Sequence, residues 1–119
     1  MARVWMVIGA LSGLLAVAMA AWASHGLPGD AGARAMTGAS LQAWHALALL
    51  GTGLFAERRP GRRMPHAAGV LFVLGTVLFC GGVYSRAVFD LSWGVLTPLG
   101  GTALMMGWGV LAASAIPRP

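Results

Sequence analysis

Charge is what this sequence has least of. Only 9% of its 119 residues are charged, and the acids number three, Asp30, Glu57 and Asp90. A soluble domain carries roughly a quarter charged residues, which it needs to cover its surface. The scarcity excludes a soluble enzyme and a disordered tail. Cysteine occurs once, at Cys80, so no intramolecular disulfide can form, and a small buried residue is the expected role. The usual pairings of catalysis are missing as well. There is no glycine-rich nucleotide loop, no nucleophile with a base at usable spacing and no carboxylate pair. No enzymatic activity, metal or cofactor is expected.

What is present is apolar. Hydrophobic residues make up 58% of the chain, and the mean hydropathy is +0.77. The few charges leave four uncharged stretches, residues 4–24, 35–56, 64–85 and 91–117. A bilayer core of roughly 30 Å needs about 20 helical residues, so each stretch is long enough to cross. None shows the period-2 alternation of barrel strands. The expected fold is an all-α membrane protein, one domain of four transmembrane helices in a compact bundle. The spans fall near residues 4–24, 35–56, 65–85 and 98–116.

The second stretch is the least apolar, and its first two turns are expected at the interface or against protein. In the fourth, Thr97 followed by Pro98 reads as an N-cap with proline at the first helical position. Residues 91–96, with Trp93, would then lie along the membrane surface. Pro65 starts the third span in the same way. The first stretch ends in Ala21-Trp22-Ala23 before Ser24, which looks like a signal-peptide cleavage site. The run is long for a signal sequence, however, and it is read as a retained span.

Eight arginines and no lysine give a formal net charge of +5. Four of them, Arg58, Arg59, Arg62 and Arg63, share one loop. Clustering in a loop, not along a face, fits the positive-inside rule and contact with anionic head groups, and not nucleic acid. That loop is expected in the cytoplasm, which places both termini there; Arg3 and Arg118 agree. Glycine-rich helix faces such as Gly9 and Gly13 are expected to pack the helices of the bundle against one another, with a docking face as the alternative. The partners implied are the lipid bilayer and, through such a face, a second copy of the chain or a larger membrane complex.

Polar groups at membrane depth are costly and mark candidate sites. His45 lies mid-span with Gln42 on the same helical face, and Tyr84 closes a stripe on the third helix with Thr76 and Cys80. His25 ends the first span. These four, His25, Gln42, His45 and Tyr84, are the candidates for a polar core or ligand site in the outer half of the bundle. Packing is the simpler role for His45, with Gln42 or Tyr84 as its hydrogen-bond partner. Arg86 and Asp90, four apart, form a candidate ion pair at the outer face, and His66 is expected at the cytoplasmic interface.

Several of these pieces resemble a known family. Ala23-Ser24-His25-Gly26-Leu27, Gln42 with His45-Ala46-Leu47-Ala48-Leu49, Leu78-Phe79 with Tyr84, and Thr97-Pro98-Leu99-Gly100-Gly101 with Gly107-Trp108 are similar to domain-of-unknown-function family 423. That family of small bacterial inner-membrane proteins is related to transmembrane protein 256. The resemblance covers nearly the whole chain. It implies a four-helix protein of the inner membrane with no assigned reaction, and it singles out His25, Gln42, His45 and the turn holding Thr97, Pro98, Gly100 and Gly101. Three functions are compatible with the residues. The first is a non-enzymatic structural or accessory component. The second is a small-ligand, quinone, metal or proton-handling protein with a site around His45 and Gln42. The third is a small transporter working as an oligomer.

Overall fold

Helix ends in this chain fall where proline or a left-handed residue interrupts the backbone. A computed structural model describes residues 1–117, in which four helices follow in the order α1 (Ala2–His25), α2 (Gly29–Arg58), α3 (Met64–Phe89) and α4 (Leu96–Ala115). After α1 the amides of Gly26 and Leu27 both donate to the Trp22 carbonyl, and Pro28 leaves the chain extended ahead of α2. Between α2 and α3 the turn needs φ +83° at Gly61, a conformation glycine adopts at no steric cost. Asp90 closes α3 in the left-handed region, at φ 53°.

Three boundaries differ from those expected. α2 starts at Gly29 and runs for 30 residues, because Asp30 and Arg34 do not end it. Asp30 sits in the first turn, where the helix dipole favours a carboxylate, and Arg34 is exposed. α3 continues to Phe89, so Arg86 lies in its last turn, where a cation is favoured. α4 begins one residue before Thr97: its N-cap is Val95, and no side chain caps it. Thr97 is therefore no N-cap; its side chain instead lies against Gly82 of α3. Pro98 occupies the third position of the first turn, where its missing N–H forfeits no intrahelical bond.

α2 packs along α1 on one side and α3 on the other, and α4 packs along α3. Every helix contributes to one apolar core: Trp5 from α1, Leu49 from α2, Phe72 from α3 and Leu104 from α4. Glycines set how closely the helices approach. A Cβ on Gly9 would lie 2.8 Å from the Ala46 carbonyl oxygen, so α1 and α2 meet backbone to backbone there. Gly100 does the same for α4, lying against the Phe79 amide and the Gly75 carbonyl of α3.

α1, α3 and α4 are long and apolar enough to cross a membrane. Their large apolar residues, among them Leu14, Val17, Leu74, Val77, Met105 and Met106, point outward. α2 has a different character. Its buried face is built from small and polar residues, Gly32, Ala35, Gly38, Ala39, Gln42, His45 and Thr52 among them. The molecule measures 53 × 26 × 18 Å along its principal axes, long enough to exceed a bilayer core of roughly 30 Å.

A polar core held between the helices

His45 lies on the buried face of α2, 5% exposed. Its Nε2 is 3.0 Å from the indole Nε1 of Trp108 on α4, and its Nδ1 is 2.6 Å from the carbonyl oxygen of Leu41, one turn back on its own helix. An indole nitrogen can only donate. Nε2 therefore accepts, and the ring proton sits on Nδ1 and is given to Leu41. Both ring nitrogens are thus used inside the protein. Phe72 completes the surroundings, with ring centroids 5.8 Å from His45 and 5.1 Å from Trp108. The partners of His45 are thus Trp108 and its own backbone, and not Gln42 or Tyr84 as the sequence suggested.

Gln42 stands one turn away on α2 and is 4% exposed. Its Oε1 accepts from the Tyr84 hydroxyl of α3 at 2.6 Å. Its Nε2 donates to Ser12 of α1, reaching both the carbonyl and the hydroxyl at 3.2 Å. One side chain thereby ties three helices together. Gly38 makes room for the Tyr84 ring: a Cβ there would lie 2.8 Å from Tyr84 Cε1. Cys80 adds a weak bond from its Sγ to the Gly38 carbonyl, at 3.4 Å.

A second indole bridges the far end. Trp5 of α1 donates to Nδ1 of His66 on α3 at 2.9 Å, and its ring lies over Gly69. His66 is thus a helix-to-helix acceptor, not merely an interfacial residue. Its partner was missed because the two are 61 residues apart. The available signal was topological: in a chain that passes back and forth, the start of α1 and the start of α3 lie at the same end.

The remaining candidates are placed elsewhere. His25 is exposed at the end of α1 and joins neither His45 nor the Gln42–Tyr84 pair, because the last turn of α1 runs past the core. Arg86 and Asp90 do pair, at 3.2 Å, but their side chains are 48% and 83% exposed, and such a pair contributes little. In the connection that follows, Trp93 lies over Gly81 of α3. Arg58, Arg59 and Arg63 project outward from the α2–α3 connection, with Arg59 over the Phe55 ring at 5.0 Å. Arg118 lies outside the described residues.

Long apolar helices around a hydrogen-bonded interior define a small multi-pass membrane protein. Residues 19–101 match the family model described as Protein of unknown function, DUF423, and the chain belongs to that family, as its motifs implied. It is 36% identical to the inner membrane protein YgdD of Escherichia coli strain K12, over 96% of this chain and 90% of that one. It is 34% identical to the membrane protein YwdK of Bacillus subtilis strain 168, over 96% and 97% of the two chains. A membrane protein of Haemophilus influenzae is 34% identical, over 91% and 90%. All three carry the group name UPF0382. The chain is accordingly a multi-pass protein of the bacterial inner membrane. No solved structure matches it.

Proposed function

We propose that this chain is a non-enzymatic structural or accessory component of the inner membrane, packing with itself or within a larger complex. In this reading all four helices cross the bilayer, α2 included. At 30 residues it is about 45 Å long, and its polar side chains are turned to its neighbours, where their cost in lipid is avoided. The Arg58–Arg63 connection and both termini face the cytoplasm.

One observation carries the reading. The side chains best suited to chemistry, His45 and Gln42, are engaged in hydrogen bonds within the bundle. A nitrogen already bonded to Trp108 is not available to a metal, a proton relay or a substrate. What the molecule offers to partners is its apolar outer face. To test this, single cysteines at Leu14 and Met105, both exposed, are introduced into a Cys80→Ala chain and crosslinked in native membranes. Discrete adducts of reproducible mass are expected from at least one position. Monomer alone at both positions would overturn the proposal.

A second reading, a ligand-handling protein, is favoured by a different observation. A cleft of about 430 Å³ lies beside Gln42 and Tyr84, away from the Trp108 side of His45. The third reading, a transporter, would need several copies of so short a chain.

A further inference from the structure

Arginine is unevenly shared between the two ends of the bundle. Arg58, Arg59, Arg62 and Arg63 lie at or beside the connection between α2 and α3, and Arg3 lies at the same end, in the first turn of α1. Two arginines stand at the opposite end: Arg34 in the second turn of α2 and Arg86 in the last turn of α3. Basic residues concentrate on the cytoplasmic side of membrane proteins, so topology accounts for the first group and not for this pair.

Arg34 and Arg86 line one cavity of about 350 Å³, together with Ser92 and Gly94 of the α3–α4 connection and the helix positions Thr37 and Thr97. Arg34, Arg86 and Ser92 are exposed, so their donors are open to an occupant. Arg34 has no ion pair among the described residues. Arg86 pairs with Asp90 at 3.2 Å, which leaves most of its five N–H donors free. The Ser92 Oγ accepts from the Gly94 amide at 3.1 Å, so its own hydrogen remains to be given. Neither Asp30 nor Asp90 lines the cavity. The walls thus offer two guanidinium groups and a hydroxyl with no opposing carboxylate, the chemistry that holds a phosphate.

Beneath the cavity the same helix faces continue as an apolar groove. About one turn deeper, Thr37 gives way to Leu41, Val83 to Phe79 and Thr97 to Gly101, and these line the next hollow with Trp44 and Trp108. The two tryptophans also border a third hollow, which reaches Gly51. Neither deeper hollow has an arginine or an acidic residue in its walls. From Thr37 to Gly51 the groove runs about 21 Å along α2, against roughly 15 Å for the hydrocarbon of one leaflet. Positive charge at the mouth and apolar walls one leaflet deep match a molecule with a phosphate at one end and an acyl chain at the other.

We infer that an anionic phospholipid is seated here, its phosphate held by Arg34, Arg86 and Ser92 and an acyl chain lying in the groove between α2 and α4. A free phosphate would leave the groove bare. A second copy of the chain would bring only Asp30, the one acid outside an ion pair among the described residues, to answer two arginines. The inference rests on the proposed placement of all four helices in the bilayer, and the proposed orientation makes the leaflet the outer one.

The test uses the full chain, delipidated in detergent and titrated with palmitoyl-oleoyl phosphatidylglycerol under native mass spectrometry. One tightly retained phosphatidylglycerol per chain is expected, with zwitterionic phosphatidylcholine held about tenfold more weakly. Arg34→Gln and Arg86→Gln should each weaken retention roughly five- to tenfold. Both side chains are exposed, so the melting temperature without lipid should not change. Arg59→Gln, likewise exposed but at the other end, should leave retention as it was. Gly101→Leu should weaken it with both arginines intact: a Cβ there would lie an ordinary 3.5 Å from Phe79 Cδ2, and the rest of the side chain would fill the groove. Equal retention of the two lipids, unchanged affinity in both arginine variants, or loss in Arg59→Gln alone would overturn the inference, and the arginine variants decide it even where Gly101→Leu folds poorly. Full displacement of the lipid by inorganic phosphate, with Gly101→Leu without effect, would assign the cavity to a free anion. A lipid-free dimer that Gly101→Leu separates would assign the groove to a second copy. Either result would overturn the inference. Cysteine accessibility at positions 59 and 92 tests the placement in the bilayer separately, so a wrong placement is distinguishable from a failure to retain lipid.

Discussion

Trp108 donates its indole N–H to Nε2 of His45 at 3.0 Å, and that bond agrees with the Leu41 carbonyl on where the imidazole keeps its proton. With Nε2 accepting, Nδ1 must carry the hydrogen that goes to the Leu41 carbonyl. Nitrogen-15 spectra of the histidine-labelled protein should therefore show His45 as the Nδ1–H tautomer. Trp108→Phe leaves Nε2 buried with nothing to accept, and should destabilise the fold by about 1–3 kcal/mol. In that variant the Leu41 carbonyl, which can only accept, should still hold the proton on Nδ1. An Nε2–H signal in the unmodified protein would contradict the arrangement.

Gln42 and Tyr84 should be energetically coupled. Their bond at 2.6 Å joins α2 to α3, and interhelical hydrogen bonds in membranes contribute about 0.6 kcal/mol on average and up to about 1.7. A double-mutant cycle of Gln42→Leu and Tyr84→Phe, read by unfolding in detergent, should give a coupling of about 1 kcal/mol. The same cycle between Gln42 and His25 should give none, because His25 is exposed and touches neither residue of the pair.

The two glycines of the Gly9–Gly13 pair should behave differently. A methyl group on Gly9 would meet Ala46 backbone at 2.8 Å and Leu49 Cβ at 3.0 Å, whereas one on Gly13 would meet Ala46 Cβ at an ordinary 3.7 Å. Gly9→Ala forces α1 away from α2 and should cost about 1–3 kcal/mol. Gly13→Ala should be tolerated within about 0.5 kcal/mol. Thermal unfolding of the two variants side by side measures the contrast.

The orientation proposed for the chain can be tested with single cysteines in a Cys80→Ala background. Arg59→Cys, in the basic connection, should resist a membrane-impermeant maleimide in intact spheroplasts and react once they are permeabilised. Ser92→Cys, beyond α3, should react from outside. The opposite pattern would reverse the topology.

Much of the fold was legible because charge is so costly in lipid. Four uncharged stretches located the four helices, since no other arrangement hides so little polarity. The ends were less legible. Asp30 and Arg34 looked like boundaries, yet a helix can carry charges through its exposed first turns. Thr97 followed by Pro98 looked like a cap, but the chain uses that threonine to fill the space left by Gly82. At the polar core, local spacing brought Gln42 towards Tyr84, because each lies on a stripe with a period of one turn. It could not supply Trp108 for His45 or His66 for Trp5. Those pairs span 63 and 61 residues, and only the packed arrangement of helices brings them together.

α2 bears on how the molecule is made. In the proposed reading, with α2 across the bilayer, the face that holds Gln42, His45 and Thr52 would outside the bundle lie bare against acyl chains, and each group would carry its full penalty there. The flanking helices remove that penalty: Ser12 answers Gln42 from α1, Tyr84 answers it from α3, and Trp108 answers His45 from α4. During synthesis α1 emerges first and α4 last, so α2 can leave the insertion machinery as a hairpin with α1, while His45 waits for its partner until the C-terminal helix arrives. A chain stopped before Trp108 would thus hold an unfinished interior, with Nε2 of His45 buried and lacking its donor.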